Sequence, residues 1–177
     1  MRLFIALDLP ADVRAGLSAW AHRAAPDEVR RVPVDNLHVT LAFLGTRGSD
    51  DAATVRALLP ALARRLRELR TAGALWLPAR RPGVLTVRLE DEATLTGLQV
   101  QLVAALSAGI GFEPEPRRFR PHVTVGRVAR GTRIDTRHKL DPLPPELCFL
   151  PRRLSLYRSR TSPEGARYER LGGVELG

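Results

Sequence analysis

The chain has 177 residues and 44% of them are hydrophobic, which suits one compact domain with a packed core. Its longest apolar runs fall far short of the roughly 18 residues of a membrane span. The N-terminus has only about five apolar residues before Asp8, too few for a signal peptide. We therefore expect a cytoplasmic protein that acts as a monomer.

The formal net charge is +9, and Lys139 is the only lysine, so arginine carries nearly all of the positive charge. Genomic base composition accounts for the ratio of arginine to lysine but not for the surplus of positive charge. Guanidinium groups bind phosphate with two parallel hydrogen bonds. The surplus therefore favours a polyanionic partner. Cys148 is the only cysteine, which excludes a disulfide framework, and its apolar neighbours predict a buried core position.

The first half predicts two strands and two helices. Apolar positions in the first helix recur at helical spacing, and Trp20 lies on that stripe as a core residue. Pro60 is expected to kink or split the second helix, for which Ser49 is a suitable N-cap. The predicted elements are a strand from Leu3 to Leu7, a helix opened by Pro10, a strand from Leu37 to Leu44 and a helix that starts near Ser49 and reaches Leu69.

The second half follows the same scheme. The predicted elements are strands at Ala74 to Leu77 and Val84 to Glu90, a helix from Glu92 to Ala108 stopped by Gly109, a strand from His122 to Val128, a loop from Gly131 to Pro145, and closing strands at Arg153 to Ser159 and Ala166 to Leu171. Each half thus contains strands and at least one helix. The pattern predicts an α+β fold in which residues 1–177 form one domain with two pseudo-symmetric lobes around a central cleft.

Each half also contains the same tripeptide, His38-Val39-Thr40 in the first and His122-Val123-Thr124 in the second. Side chains alternate along a strand, so the histidine and the threonine of each copy share one face, roughly 7 Å apart. A single His-x-Thr is more often an ordinary surface or core pair. Two copies with the same apolar flanks favour a functional pair.

Strict alternation makes further predictions about the flanking residues. Leu41 and Phe43 are expected on the apolar face of the first copy, and Val125 on that of the second. Gly126 then lies on the histidine face, where it leaves room for a ligand. Arg127 falls on the opposite face unless a bulge or the strand end redirects it.

Two histidines and two hydroxyls in one cleft suit acid–base chemistry on a phosphate. An imidazole titrates near pH 6.5, so one ring can be neutral while the other is protonated. Displacement at phosphorus is roughly in line, so an acid and a base must approach from opposite sides. The threonine hydroxyls, with arginine, would hold the non-bridging oxygens, and each positioned acid or base contributes on the order of 10²- to 10⁴-fold in rate.

The sequence around both motifs resembles the two-histidine (2H) phosphoesterases, and more narrowly the bacterial and archaeal RNA 2′,3′-cyclic phosphodiesterases, once called 2′-5′ RNA ligases. The segments that carry the resemblance are Arg2 to Pro10, Asn36 to Gly45, Phe119 to Arg127, Leu156 to Ser159 and Gly165 to Tyr168. It implies a bilobal fold, mainly of antiparallel sheet with flanking helices, and opening of a terminal 2′,3′-cyclic phosphate to a 2′-phosphate without metal or cofactor. It implies that His38 is the proton donor, that His122 is the proton acceptor, and that Thr40 and Thr124 bind phosphate.

Four further residues are candidates for substrate contact. Arg120 shares the face of His122 if the strand already runs there, and Arg127 follows the second motif. Phe4 and Tyr157 are possible base-stacking residues, although core packing is the stronger expectation for Phe4. Thr86 stands where the family often has a tryptophan.

The expected partners are RNA ends or nucleotides that carry a 2′,3′-cyclic phosphate. Two alternatives remain open at this point. The first is a non-catalytic binder of nucleotides or RNA ends that keeps the cleft without turnover. The second is the reverse reaction, in which the same residues join a cyclic phosphate end to a 5′-hydroxyl as a 2′-5′ linkage.

Overall fold

We describe the chain from a computed structural model, in which residues 1–79, 81–90, 93–129, 131–136, 140–162 and 165–177 are described. The strands of this part of the chain form one nine-stranded sheet, and every pair is antiparallel. The strands are β1 (Arg2–Asp8), β2 (Val29–Arg31), β3 (His38–Thr46), β4 (Leu69–Leu77), β5 (Val84–Glu90), β6 (His122–Val128), β7 (Cys148–Phe149), β8 (Arg153–Ser162) and β9 (Gly165–Glu175). The helices are α1 (Ala11–Ala24), α2 (Ser49–Leu58) and α3 (Thr94–Ile110), with short 3-10 turns at Val34–Asn36 and Leu59–Leu62.

The order of the strands brings the two motifs to the middle of the sheet. It runs β7-β4-β5-β6-β3-β1-β8-β9, with β2 paired to β6 beside this path. The motif strands β3 and β6 are neighbours, and they meet at the pair Val39–Val123. The predicted α+β fold is confirmed. No helix within the described residues is long and apolar enough to cross a membrane.

The core lies between one face of the sheet and the three helices. Residues Leu3 to Leu7 of β1 are all buried, as their continuous apolar run predicts. Trp20 of α1 is fully buried, and its indole Nε1 donates to the carbonyl of Pro142 at 2.8 Å. The inward leucines of α3 recur at helical spacing and are also fully buried: Leu95, Leu98, Leu102 and Leu106.

The helix ends differ from the sequence prediction. The second helix breaks at Pro60, as expected, because Pro60 cannot donate to the helical ladder and the chain tightens into a 3-10 turn. The predicted reach to Leu69 is wrong, since α2 ends at Leu58. Gly48 takes the N-cap position expected for Ser49, whose hydroxyl donates to the Asp50 carboxylate instead.

Two further predictions are wrong for reasons of backbone conformation. Gly109 lies inside α3, and the helix stops at Gly111, whose φ of 59° supplies the left-handed C-cap. Cys148 is exposed, because strand alternation turns its neighbour Phe149 into the core instead. His138, in the predicted loop, lies outside the described residues.

A β-bulge in β3 reverses the faces after the first motif. Ile5 of β1 pairs with Ala42 and Ala6 pairs with Thr40, so Leu41 is an extra residue opposite β1. Leu41 and Ala42 are therefore both buried. The prediction that Phe43 faces the core is wrong: its side chain is 62% exposed.

A matching bulge follows the second motif in β6. Leu85 of β5 pairs with Gly126 and Thr86 pairs with Thr124, so Val125 is the extra residue. Gly126 consequently faces the core, where an added Cβ would lie 2.3 Å from Cγ1 of Val29. The prediction that Gly126 leaves room for a ligand is wrong, because its missing side chain makes room for the core.

The two bulges occupy equivalent positions, one residue after each motif threonine. The residue two places beyond each bulge departs from strict alternation in the same way. Phe43 in β3 and Arg127 in β6 are both exposed, and both line a cavity together with Thr40 and His122. The bulge anticipated as a means of redirecting Arg127 is therefore present.

Candidate active site

The sheet brings the four motif side chains to one small area. Continuing the antiparallel register by one residue from Val39–Val123 places His38 across from Thr124 and Thr40 across from His122. The two histidines are then diagonal neighbours on adjacent strands, about 7–8 Å apart at the backbone. All four side chains are partly buried. The two motifs are therefore adjacent in the sheet, as the sequence predicts.

Both imidazoles are held by the same local hydrogen bond. Nδ1 of His38 donates to the carbonyl of Asn36 at 2.7 Å, and Nδ1 of His122 donates to the carbonyl of Arg120 at 2.6 Å. A carbonyl oxygen can only accept, so Nδ1 carries a proton in both rings. Nε2 is therefore the nitrogen left for chemistry. In His38 it accepts from the Thr40 hydroxyl at 3.0 Å.

Aromatic rings enclose His38. The Phe4 ring stacks on the imidazole at 4.9 Å between centroids, and the Tyr168 ring meets it edge-on at 5.4 Å. Phe4 is 3% exposed, so the expectation of packing is confirmed, but the ring covers a candidate catalytic group. Tyr168 was missed as a site residue because nothing in the local pattern of β9 marks it.

This enclosure determines the protonation of His38. Burial lowers the pKa of His38 to about 4. The hydrogen bond to the Asn36 carbonyl opposes this effect, and the positive charges of Arg127 and His122 add to it. His38 is consequently neutral at pH 7 in the unliganded protein, and an anion bound beside it would favour its protonation.

Tyr157 packs against the Phe4 ring, which in turn stacks on His38. Its ring stacks on Phe4 at 5.3 Å, and its hydroxyl donates to the Asp8 carboxylate at 2.8 Å. Burial and this hydrogen bond raise the pKa of Tyr157 to about 12. The Ser155 hydroxyl donates to the other oxygen of Asp8 at 2.9 Å. These contacts fix Tyr157 against Phe4.

Two cavities open beside His122. The larger, of about 840 Å³, is lined by Thr40, Phe43 and Arg127 as well as by His122. Its exposed Phe43 ring is a surface on which a nucleobase can stack. Sequence reasoning missed this residue, since the bulge that exposes it depends on the pairing with β1.

The smaller cavity, of about 740 Å³, is lined by Arg88, Arg118 and Arg120, with His122 at its edge. Arg120 reaches both cavities and is exposed, while its backbone carbonyl orients His122. Arg88 was missed because it lies on a different strand from His122, and Arg118 because it precedes the strand of the second motif and no local pattern marks it.

Other candidates lie away from the cleft chemistry. Thr86 is fully buried, and its hydroxyl donates to the Leu75 carbonyl at 2.7 Å. Within the described ranges, no cluster of three or more His, Cys, Asp or Glu side chains is arranged to hold a metal ion.

Comparison with known proteins identifies the family. The sequence profile of the 2′-5′ RNA ligase superfamily matches residues 8–163. The chain belongs to this superfamily, and its fold is that of the 2H phosphoesterases.

Individual relatives match over most of their length. The chain is 33% identical over 141 residues to the RNA 2′,3′-cyclic phosphodiesterase of Escherichia coli K12, which covers 72% of each chain. It is 32% identical over 180 residues to the protein of that name from Methanothermobacter thermautotrophicus, and the aligned region covers 95% of each chain. The crystal structure of E. coli LigT complexed with 3′-AMP superposes with a TM-score of 0.79 at 28% identity, covering 99% of this chain and 97% of LigT.

Proposed function

We propose that this protein hydrolyses terminal RNA 2′,3′-cyclic phosphates to 2′-phosphates by acid–base catalysis with two histidines. The observation that carries the proposal is the pairing of the two His-x-Thr strands at Val39–Val123, which makes the two histidines and the two threonines neighbours on adjacent strands. Two titratable groups with the same fixed tautomer are needed for proton transfer but not for binding alone. The relatives named RNA 2′,3′-cyclic phosphodiesterase support the same activity.

The reaction assigns one proton transfer to each histidine. Nε2 of His122 takes a proton from water, whose oxygen forms a bond to phosphorus. The bond from phosphorus to O3′ breaks on the opposite side, and O3′ takes the proton from Nε2 of His38. The products are a 2′-phosphate and a free 3′-hydroxyl. His122 is left protonated and His38 neutral, and exchange with solvent restores both.

Neighbouring donors would hold the phosphate during this displacement. Thr40 and Thr124 lie beside the two histidines and can donate to the non-bridging oxygens. The Thr40 hydroxyl, which donates to His38 in the unliganded protein, must turn to the phosphate when Nε2 of His38 is protonated. Arg127 lines the same cavity and supplies positive charge.

We further propose that residues 1–177 act as one bilobal domain, each lobe contributing one His-x-Thr motif. One chain supplies all the candidate groups, which supports activity as a monomer. Sedimentation of the active protein tests this, and a location in the cytoplasm stays a prediction.

The activity is tested with a short RNA that ends in a 2′,3′-cyclic phosphate. We expect conversion to a 2′-phosphate end, identified because a general phosphomonoesterase removes it, unlike the cyclic phosphate, whereas a phosphatase specific for 3′-phosphates does not. His38→Ala and His122→Ala should each lower kcat by at least about 100-fold while the circular dichroism spectrum and melting temperature stay close to those of the parent.

A substitution away from the cleft is the matched control. His22 lies late in α1, where Nδ1 pairs with the Ser18 carbonyl, so His22→Ala should retain full activity. Binding of the RNA end without turnover would support the non-catalytic alternative. Full activity in either cleft variant would contradict the proposed roles.

A further inference from the structure

The smaller cavity has no part in the chemistry described so far. We call it the arginine cavity: the 740 Å³ hollow lined by Arg88, Arg118 and Arg120, with His122 at its edge. It contains neither His38 nor Thr40, which lie on the far side of His122. The two cavities share Arg118, Phe119, Arg120 and His122, so we treat them as one groove that passes His122 on both sides.

Arg88 is fixed close to the candidate catalytic base. It is the register partner of His122 across β5 and β6, which places the two side chains on one face, roughly 5 Å apart at Cβ. Its Nε and Nη2 donate to the Ala72 carbonyl at 3.2 and 3.1 Å, which holds the guanidinium in place. Nη1 makes no hydrogen bond to another described residue.

The charge of this cavity favours an anion. Three guanidinium groups line it, and the described part of the lining holds no Asp or Glu. Guanidinium groups gathered in this way bind phosphate in preference to neutral ligands. Leu75, Leu77 and Phe119 supply an apolar wall beside them, against which a nucleobase can pack.

The covalent structure of the substrate indicates which phosphate would enter. The terminal ribose carries the cyclic phosphate on O2′ and O3′, and the rest of the RNA leaves through O5′ and a phosphodiester. Phe43 in the larger cavity is the exposed ring available to the terminal base. With the terminal base on Phe43, the chain that continues from O5′ can pass His122 toward the other end of the groove.

We propose that the arginine cavity binds the penultimate phosphodiester of the RNA, with Arg88 as its principal contact. This inference rests on the proposed function, and it deepens it: the preferred substrate is an RNA chain of two or more nucleotides rather than a nucleoside cyclic phosphate. Arg118 and Arg120 line both cavities, whereas Arg88 lines only the arginine cavity. Arg88 is therefore the residue that separates the two subsites experimentally.

The experiment compares two substrates that differ by one upstream nucleotide. Hydrolysis of a nucleoside 2′,3′-cyclic phosphate and of a dinucleotide ending in the same group is measured with the parent protein and with Arg88→Gln. The variant should lose about tenfold in kcat/KM on the dinucleotide, since one charged hydrogen-bond donor is removed. Its loss on the mononucleotide should be less than about twofold, because that substrate has no second phosphate. For the dinucleotide, the slope of log KM against log salt concentration should fall by about 0.7.

Arg23→Gln is the matched control, since Arg23 is an exposed arginine in the last turn of α1 and lines neither cavity. It should leave both substrates and the salt slope unchanged. Calorimetry with the two unreactive products, a nucleoside 2′-phosphate and a dinucleotide 2′-phosphate, gives a second readout that needs no turnover.

The outcomes separate this inference from the proposed function. Equal losses on both substrates in Arg88→Gln, or a parent protein that treats them alike, would overturn the phosphodiester subsite and leave the proposed function standing. Hydrolysis of neither substrate by the parent protein would overturn the proposed function itself. Tighter binding of the dinucleotide product in the parent, lost in Arg88→Gln, is the result that supports the subsite.

Discussion

The protonation of His38 gives the sharpest quantitative prediction. A proton donor must carry its proton when the substrate is bound, yet burial lowers the pKa of this group to about 4 in the unliganded protein. At pH 7 only about one molecule in a thousand is then protonated at His38. Relative to an ordinary histidine, protonation costs about 3 kcal/mol.

The substrate itself can offset this cost. A phosphate anion about 4 Å from the ring, at the effective dielectric constant of a partly buried site, contributes about 4 kcal/mol. We therefore predict that a bound cyclic phosphate raises the pKa of His38 by about three units, to about 7. The sign follows from the charges: Arg127 and His122 lower this pKa, and an anion between them reverses their effect.

Nuclear magnetic resonance titration of the imidazole signals measures this shift directly. The His122→Gln variant is suitable, since it should bind a nucleoside 2′,3′-cyclic phosphate without turnover. The pKa of His38 in the variant is compared with and without saturating ligand. A value that stays below about 5 in the complex would refute the assignment of His38 as proton donor. The two histidines would then have to exchange roles.

Three substitutions test other parts of the site. Nδ2 of Asn36 donates to the Ala166 carbonyl of β9 at 2.7 Å, which anchors the turn that holds His38. Asn36→Ala should therefore lower kcat about tenfold and shift the pH–rate profile. An unchanged profile would argue against a role for Asn36 in positioning His38. Phe43→Ala should raise KM about tenfold with little change in kcat, since it removes a base-stacking surface; an unchanged KM would contradict that role. Gly126→Ala should lower the free energy of unfolding, measured in urea, by about 1–3 kcal/mol, because the added Cβ would overlap Val29. An unchanged urea midpoint would show that the core rearranges without cost.

The sequence predicts the main elements because their signals are local. Leucine spacing in α3 fixes one buried helix face, and the apolar run of β1 identifies a strand buried on both faces. The paired motifs are equally local, and the register at Val39–Val123 brings them together as expected. Local signals fail at element ends, where Pro60 and Gly111 compete with helix periodicity.

Strict alternation fails to predict which way side chains face after the two β-bulges. A bulge arises where one strand has an extra residue relative to its partner. The sequence of β3 or β6 alone does not show how that strand pairs with its neighbour, so it does not predict the bulge. The reversal after Leu41 and Val125 therefore displaced the predictions for Phe43 and Gly126 together. A repeated error of this kind reflects the pseudo-symmetry of the two motifs.

The groove could not be predicted for a different reason. Arg88 and Arg118 belong to separate segments, and only the pairing of β5 with β6 brings Arg88 beside His122. Net charge indicated a polyanionic partner but could not locate its path. The pairing of β5 with β6 in the folded sheet shows where the groove lies.

A crystal structure with a bound nucleoside 2′-phosphate tests the central claim most directly. The account predicts one phosphate held between both imidazoles, with Nε2 of His38 and Nε2 of His122 each about 3 Å from a different oxygen of the same phosphorus. A phosphate bound by one histidine alone, or at another surface, would contradict it.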